Sequence, residues 1–391
     1  MREPMRRTRH PDKHEMRKRI CIATMFGTPN FGTNLQAYAL QHFLERQGFS
    51  ARLLDSVPYE ANLAGIVWHL VSDWKLYRFW SRLKDFLRGA RPPFKPNPRL
   101  RRWALRNLHS VKVAFPCQVR HLVENTDCFL AGSDQIWNTH LGANPTMFLA
   151  FAKEKKKISY ASSIGTGDIH PAHAEKVKEW LSGYQHIGVR EASAAVALAA
   201  LTGRRDIVSV LDPTFLLLPQ DWRLFAQSAS LPQTAKQPYV FCYLIGSNSH
   251  YGKQVLGVLE RTSIRNVVLI PACENADFHV EGACVVRNAT PPEFVRLLMD
   301  ADFVCTDSFH ATALSINLSK PFVEFMRFDN TDPASQNSRI FDLLGSFGLS
   351  ERVYDAESDR WAKAIDYSVA QERLNKARAS SIRFLEDSIE N

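Results

Sequence analysis

The sequence predicts an α/β protein with two Rossmann-like domains, because two series of short apolar runs alternate with helical patterns. The first series covers residues 20–55 and 127–210. The second has helices between strands that are expected near residues 239–245, 266–270, 302–305 and 321–325. Strands that alternate with helices along a chain form parallel sheets whose faces the helices cover. Each half of the chain is therefore expected to form one such domain.

The domain limits follow from composition. A polar segment at 228–238 separates the two series and is predicted to be the linker. We expect an N-terminal domain at 20–217 and a C-terminal domain at 218–391 that ends in helices. Residues 57–116, which contain the run Arg-Pro-Pro-Phe-Lys-Pro-Asn-Pro, are predicted to be an insertion into the first domain. Residues 1–19 are predicted to form a disordered basic arm.

Residues 302–324 combine a strand, a capping turn and a helix. The apolar run from Phe303 to Cys305 predicts the strand, Thr306-Asp-Ser predicts the turn, and Lys320-Pro321 ends the helix. A strand that leads directly into a helix N-terminus forms an anion site, because unpaired N–H groups and the helix dipole converge there. His310 in the first turn could donate to an anion or move a proton. The alternative is a capped helix with a satisfied histidine.

Three more segments, at 20–40, 127–138 and 187–193, have the same strand-to-loop form. The first contains a glycine-bearing loop that opens a helix. The second contains Asp134, and the third places Arg190 where a short strand passes into a helix. Ligands of such folds lie beyond the carboxyl ends of the strands, so these loops and the turn before His310 are expected to converge.

Six short motifs occur in one order between residues 20 and 350. They are Asn30-Phe-Gly32-Thr-Asn34-Leu-Gln36, Gly132-Ser-Asp-Gln-Ile-Trp-Asn138, Tyr160-Ala-Ser-Ser-Ile-Gly165, Val189-Arg-Glu-Ala-Ser193, Leu211-Asp-Pro-Thr-Phe-Leu216 and Thr306-Asp-Ser-Phe-His310. In these motifs the sequence resembles the polysaccharide pyruvyl transferase family. The resemblance implies a GT-B-like fold, in which two Rossmann-like domains face a cleft.

The resemblance also implies a reaction. A pyruvyl group would pass from phosphoenolpyruvate onto two hydroxyls of a sugar, giving a pyruvate ketal and inorganic phosphate. The sugar would belong to a cell-surface polysaccharide or exopolysaccharide, or to its lipid-linked precursor. The donor carries a phosphate and a carboxylate, so cations must hold it, and an acid and a base must move protons. No residues have metal-ligand spacing, and the expected reaction needs no redox cofactor.

The resemblance assigns donor binding to Arg190 and His310, which match a family arginine and histidine. A guanidinium can donate two parallel hydrogen bonds to a phosphate or a carboxylate. The imidazole would be the proton donor or a phosphate ligand. Some members carry an arginine where this chain has Ser308, so one anion contact of this predicted donor site is unassigned. The sequence does not choose among the cations that could supply it, which are Lys320, Arg327 and Arg339.

The remaining candidates each have two interpretations. Asp134 and Asp307 follow strands, and either could be the catalytic base or could cap and turn the chain. Trp137 could stack on a sugar ring or belong to the core. The uncharged residues of the first loop suit either sugar hydroxyls or the loop itself; they are Asn30, Gly32, Asn34 and Gln36.

Composition agrees with a large cytoplasmic enzyme. The chain has 391 residues, of which 45% are hydrophobic, enough for two cores. No apolar run reaches the length of about 18 residues that spans a bilayer, and the apolar run after the basic arm is too short for a signal peptide. Seven cysteines include no C-x-x-C pair, so buried free thiols are expected rather than a zinc site.

The net charge of +9 comes mainly from two regions. Residues 1–19 hold eight basic and three acidic residues, and residues 75–106 hold eleven basic residues against Asp85 alone. This distribution matches no nucleic-acid reader, so no nucleic-acid partner is expected. Apolar and aromatic residues also recur every three or four positions from Val67 to Leu87. Residues 66–106 are therefore predicted to contact the inner face of a membrane peripherally, or to pack this stripe on the protein.

Two other functions fit the same features. A GT-B-like architecture also serves glycosyltransferases that use nucleotide-sugar donors. A non-catalytic protein could use the basic segment to hold a membrane or an anionic polymer. His310 and Arg190 favour an enzyme, and the six motifs favour phosphoenolpyruvate over a nucleotide sugar.

Overall fold

The computed structural model describes residues 17–55, 97–113, 115–231, 235, 238–272, 278–328 and 335–391. Most of the predicted arm at 1–19 and of the predicted insertion at 57–116 lies outside these residues. The same is true of most of the segment 66–106, so its membrane contact stays a prediction. Within the described residues, no helix is both long and apolar enough to cross a membrane.

The first sheet has seven strands, and every neighbouring pair is parallel. Its strands are β1 Arg19–Ala23, β2 Ser50–Asp55, β3 Ser110–Lys112, β4 Cys128–Ala131, β5 Lys156–Ser162, β6 His186–Val189 and β7 Ile207–Ser209. They lie in the order β3-β2-β1-β4-β5-β6-β7. The central strands are buried on both faces, as expected for a parallel sheet covered by helices.

Within the described residues of this half, five α-helices accompany the sheet. They are α1 Phe31–Arg46, α2 Pro98–Asn107, α3 Pro116–Glu124, α4 Ala174–Ser182 and α5 Ala192–Thr202. The side chain of Asn30 caps α1 by accepting a hydrogen bond from the backbone N–H of Thr33 at 3.3 Å. Helix α1 therefore begins directly after the glycine-bearing loop.

The second sheet has five parallel strands in the order β10-β9-β8-β11-β12. They are β8 Tyr239–Tyr243, β9 Asn266–Leu269, β10 Cys284–Val285, β11 Phe303–Thr306 and β12 Phe322–Glu324. Each of the four strands expected in this half overlaps one of them. Strand β10 has two residues and was not expected, since so short a run leaves no periodic signal.

The helices of the second half include one that returns to the first sheet. They are α6 Pro219–Ala226, α7 Tyr251–Thr262, α8 Pro291–Asp300, α9 Phe309–Asn317, α10 Ser338–Phe347 and α11 Tyr367–Glu390. The Nζ atoms of Lys18 and Lys156 each donate to the carbonyl oxygen of Ile389 at 3.0 Å. The end of α11 thus lies against β5, so the predicted C-terminal unit 218–391 sends its last helix onto the first domain.

The two sheets face each other across the N-terminus of α1. Strand order reverses between β1 and β4 in the first sheet and between β8 and β11 in the second. In open α/β sheets ligands bind at such reversals, beyond the carboxyl ends of the strands. At the start of α1, Phe31 stacks on Phe294 of α8 with ring centroids 4.7 Å apart. The predicted GT-B-like arrangement of two Rossmann-like domains is confirmed.

Candidate active site

His310 lies in the first turn of α9, between the two domains. Strand β11 ends at Thr306, whose hydroxyl oxygen accepts a hydrogen bond from the N–H of Ser308 at 3.0 Å and shapes the turn. Gly32 of α1 lies opposite, and a Cβ built on it would be 2.3 Å from Nδ1 of His310. The imidazole therefore lies directly against the backbone of the other domain, an approach that a side chain at position 32 would block.

Asp212 connects the loops of the site. Its carboxylate is buried and accepts hydrogen bonds from Ser133 Oγ at 2.8 Å and from Thr214 Oγ1 and N at 2.8 and 3.0 Å. Its Oδ2 atom is also 3.4 Å from Nη1 of Arg190 and 3.5 Å from Nε2 of His310. One buried carboxylate thus contacts both side chains that the family resemblance assigned to the donor.

The charges around Asp212 keep it ionised. Burial alone would raise the pKa of this carboxyl group, but His310 and Arg190 oppose that effect and leave the pKa well below its usual value. In the sequence, Asp212 stands out only as a member of one of the six motifs, with no role of its own. The signal that could have identified Asp212 is its position after a strand, in an Asp-Pro turn that belongs to one of the six motifs.

Replacing Asp212 with asparagine should lower the free energy of unfolding at pH 7 by about 3 kcal/mol, because a buried ion pair loses its anion. Because the folded-state pKa is depressed, this contribution is complete above the unfolded pKa of about 3.9. It is lost as the pH falls through the lower, folded pKa. Urea unfolding at pH 7 and in acid measures both effects.

The control is Asp168→Asn, which removes a carboxylate that is 69% exposed and lies beside His140. It should change stability by less than about 1 kcal/mol. An Asp212→Asn protein as stable as the parent at pH 7 would show that Asp212 is not the stabilising centre of the cluster.

Arg190 lies at the junction of β6 and α5, with its side chain 1% exposed. Its Nε atom donates to Oε1 of Glu191 at 2.8 Å, and the guanidinium stacks 4.0 Å above the ring of Phe309. Burial would lower its pKa, but Glu191, Asp212 and Asp134 raise it, so the group stays charged. Its Nη2 atom is buried without a hydrogen-bond partner among the described residues and is therefore available to a ligand.

Asp134 lies in the loop after β4 and has a φ of 73°, which is unusual for a residue other than glycine. Its Oδ2 accepts from Thr33 Oγ1 at 2.8 Å, and its Oδ1 accepts from the N–H of Gln135 at 2.9 Å. Burial would raise its pKa, but nearby His310 and Arg190 outweigh that effect and lower it. This strained, ionised carboxylate belongs to the same cluster as the two predicted donor residues.

Asp307 has a different environment. It accepts hydrogen bonds from the N–H groups of Ile245 and Gly246 at 2.6 and 2.7 Å and from the hydroxyl of Tyr251 at 2.6 Å. Arg327 Nε lies 3.4 Å from the same carboxylate. These contacts tie the loops after β8 and β11 together, so they favour the capping alternative over the base.

The first loop is held mainly by its own polar side chains. Asn34 accepts from the N–H of Gly27 and donates to the carbonyl oxygens of Thr28 and Asn30. Gln36 donates to Thr24, Met25 and Thr33, and its Oε1 is buried without a partner among the described residues. These contacts give Asn34 and Gln36 the loop-holding role, and the partly exposed Asn30 caps α1.

Two candidates lie apart from this cluster. Trp137 is fully buried, stacks on Phe148 and donates to the carbonyl oxygen of Met147, so it belongs to the core of the first domain. Lys320 lies beyond the C-terminus of α9, whereas His310 lies at its N-terminus, and its charged neighbours are Asp300 and Asp302. The structure therefore does not bring Lys320 to the donor residues.

The described residues contain no group of three or more His, Cys, Asp or Glu side chains arranged to hold a metal ion. The polar cluster instead combines guanidinium groups, one imidazole and carboxylates. Such an arrangement can hold an anionic ligand and exchange protons with it.

A buried Arg–His–Asp cluster lies between the two halves of this GT-B-like fold. A model of the polysaccharide pyruvyl transferase family matches residues 30–328. The chain therefore belongs to the polysaccharide pyruvyl transferase family, as its six motifs predicted.

The chain is similar to several solved structures at low sequence identity. Arabidopsis thaliana UGT89C1, complexed with UDP-L-rhamnose, is 12% identical with a TM-score of 0.50, over 96% of this chain and 99% of that one. A putative UDP-N-acetylglucosamine 2-epimerase from Listeria monocytogenes is 12% identical with a TM-score of 0.48, over 95% and 98% of the two chains. The comparison with curated proteins found no match.

Proposed function

We propose that this protein transfers a pyruvyl group from phosphoenolpyruvate onto two hydroxyls of a sugar. The sugar belongs to a cell-surface polysaccharide or exopolysaccharide, or to its lipid-linked precursor. The observation that carries the proposal is the buried contact of Asp212 with both Arg190 and His310, at 3.4 and 3.5 Å. These residues come from three of the six family motifs, and they form one site between the domains.

The donor carries a phosphate and a carboxylate, so it needs a cation with an N–H group that the protein's own carboxylates do not occupy. The Nη2 atom of Arg190 is the buried N–H group left over after its contacts with Glu191 and Asp212. A ligand anion that reaches it forms a charge-assisted hydrogen bond in a place from which water is largely excluded. Arg190 is thus proposed to hold the donor, with its ion pairs fixing the orientation of the guanidinium.

The proposed reaction moves two hydroxyl protons from the sugar to the donor. His310 protonates the methylene carbon of the donor, which becomes a methyl group, while a sugar hydroxyl adds to the neighbouring carbon. The bond from that carbon to the phosphate oxygen then breaks, and the second hydroxyl closes the ketal. Of the two hydroxyl protons, one restores His310 and the other leaves with phosphate. Asp134, ionised and close to His310, is proposed to accept a hydroxyl proton. The donor supplies all of the transferred group, so the proposal includes no cofactor.

Gly32→Ala should lower turnover about 10- to 100-fold and also weaken the packing of α1 against α9. The new methyl group would require His310 to move, and an error of about 1 Å at a reacting group costs a factor of this order. Phosphate release at saturating donor measures turnover. The control is Gly252→Ala, also in the first turn of a helix, where a Cβ meets nothing within 4 Å. Parental turnover in Gly32→Ala would show that the position of His310 against α1 does not matter.

Ligand-dependent melting tests the choice of donor. A ligand at 100 times its dissociation constant stabilises the native state by about 2.7 kcal/mol and raises the melting temperature. Phosphoenolpyruvate should raise it, and UDP-N-acetylglucosamine or UDP-glucose should not. A rise with a nucleotide sugar and none with phosphoenolpyruvate would favour a nucleotide-sugar glycosyltransferase. No rise with either donor would favour a non-catalytic protein.

A further inference from the structure

Arg339 is a buried cation without an ion-pair partner among the described residues. It lies in the first turn of α10 and is 7% exposed. Its Nε atom is buried without a hydrogen-bond partner, and Arg339 takes part in none of the ion pairs found between described residues. An unpaired buried charge is costly, so its retention at a site between two domains points to a ligand.

The surroundings of Arg339 disfavour its charged form. Burial has the largest effect on the pKa of Arg339 and lowers it. Repulsion from Arg327 and Arg190 lowers this pKa further, whereas Asp134 and Glu191 raise it. Together they lower the pKa of Arg339 to about 9. Arg339 is therefore close enough to Arg190 and Asp134 to interact with both, and an added anion would relieve the repulsion between the arginines.

Helix α10 is attached to the loops of the first domain. The carboxylate of Asp342 accepts hydrogen bonds from the Oγ and N–H of Ser193, at 2.7 and 3.2 Å, three residues after Arg190. Gln336, just before α10, accepts from Gln135 at 2.8 Å, one residue after Asp134. These contacts hold Arg339 in place beside the donor residues.

Arg339 and Arg190 line a common cavity of about 200 Å³, together with Phe309 and the carboxylates of Glu191, Asp212 and Asp342. Both arginines have a buried nitrogen without a partner among the described residues, Nε in Arg339 and Nη2 in Arg190. Two guanidinium groups with unused donors match the several acceptor oxygens of a phosphate.

We propose that Arg339 binds the phosphate group of the donor together with Arg190, and so replaces the arginine that some family members carry at the position of Ser308. The proposal rests on the proposed function, since it assigns part of the same donor site. It also selects one of the three cations that the sequence left open. Arg327 is excluded because it already contacts Asp307, with Nε 3.4 Å from the carboxylate and Nη2 2.9 Å from the carbonyl oxygen. Lys320 is excluded because it lies beyond the far end of α9.

The test is calorimetric titration of the full chain and its variants with phosphoenolpyruvate and, separately, with inorganic phosphate. Arg339→Gln should weaken both ligands about 10- to 100-fold, the effect of losing a charge-assisted hydrogen bond. Arg339→Lys keeps the positive charge but loses the paired N–H donors of the guanidinium. It should bind phosphoenolpyruvate and inorganic phosphate more weakly than the parent and more tightly than Arg339→Gln. Lys320→Gln removes a cation outside the site and should bind both ligands as the parent does.

Melting without ligand separates binding from a structural role. Arg339→Gln removes a buried, repelled charge, so it should melt at the parental temperature or above, whereas loss of a structural residue would lower the melting temperature. Parental affinity of Arg339→Gln for phosphoenolpyruvate would overturn the assignment. So would a loss of phosphoenolpyruvate binding with inorganic phosphate binding unchanged, which would place Arg339 on the donor carboxylate. Failure of the parent itself to bind phosphoenolpyruvate would instead overturn the proposed function.

Discussion

Replacing His310 with alanine should lower turnover about 10²- to 10⁴-fold, the usual contribution of a positioned proton donor. The imidazole lies between Gly32 of α1 and Asp212, so its orientation is set by both domains. Its Nε2 atom is buried 3.5 Å from Oδ2 of Asp212 and forms no hydrogen bond with the described residues. Phosphate release at saturating phosphoenolpyruvate and acceptor measures the effect.

The kinetic pattern distinguishes the roles of His310. A fall in turnover with donor affinity preserved supports proton transfer, whereas weaker donor binding with turnover preserved at saturation would make His310 an anion ligand only. His109→Ala is the control, because that imidazole is 69% exposed and pairs with Glu45 at the surface. A His310→Ala protein that melts earlier and has normal kinetics would leave the histidine a structural role.

Arg190→Ala should lower the free energy of unfolding by about 3–5 kcal/mol as well as abolish donor binding. The guanidinium faces two buried carboxylates, Glu191 at 2.8 Å and Asp212 at 3.4 Å, and its removal leaves their charge uncompensated. Urea unfolding measures the stability. Arg296→Ala breaks the partly exposed helical pair with Asp300 and should cost less than about 1 kcal/mol.

Arg190→Lys separates stability from binding. Lysine keeps a positive charge near the carboxylates but cannot reproduce the paired N–H donors of the guanidinium. Arg190→Lys should therefore be more stable than Arg190→Ala and still bind phosphoenolpyruvate more weakly than the parent. Parental donor affinity in Arg190→Lys would contradict a role for the guanidinium in donor binding. Parental stability in Arg190→Ala would contradict the buried network around Asp212.

The fold was predictable because its signals are local. An apolar run followed by a loop and a helical pattern identifies a parallel α/β unit, and the carboxyl ends of parallel strands share one edge. The same rule predicted that the loops bearing Asn30, Asp134, Arg190 and His310 would converge. The structure brings these loops together; those bearing Asn30, Asp134 and His310 follow strands at the reversals of strand order, and Arg190 follows β6.

The remaining features depend on contacts between distant residues. Asp212 lies 22 residues from Arg190 and 98 residues before His310, and nothing in its local sequence reveals that it contacts both. The unpaired state of Arg339 becomes visible only when its burial and its neighbours are known. The contacts that favour a structural role for Asp307 and Trp137 likewise join residues that are distant in the sequence.

Isotope incorporation during turnover tests the proposed pyruvyl transfer most directly. The purified protein is incubated in deuterated water with phosphoenolpyruvate and a panel of saccharides, and products are analysed by phosphate assay and mass spectrometry. With a competent acceptor, we expect one phosphate released per ketal formed and one deuterium in each ketal methyl group, because solvent exchange labels the proton that reaches the methylene carbon. Phosphoenolpyruvate left intact with every saccharide, while a nucleotide sugar supplied to the same panel is consumed, would contradict the proposal.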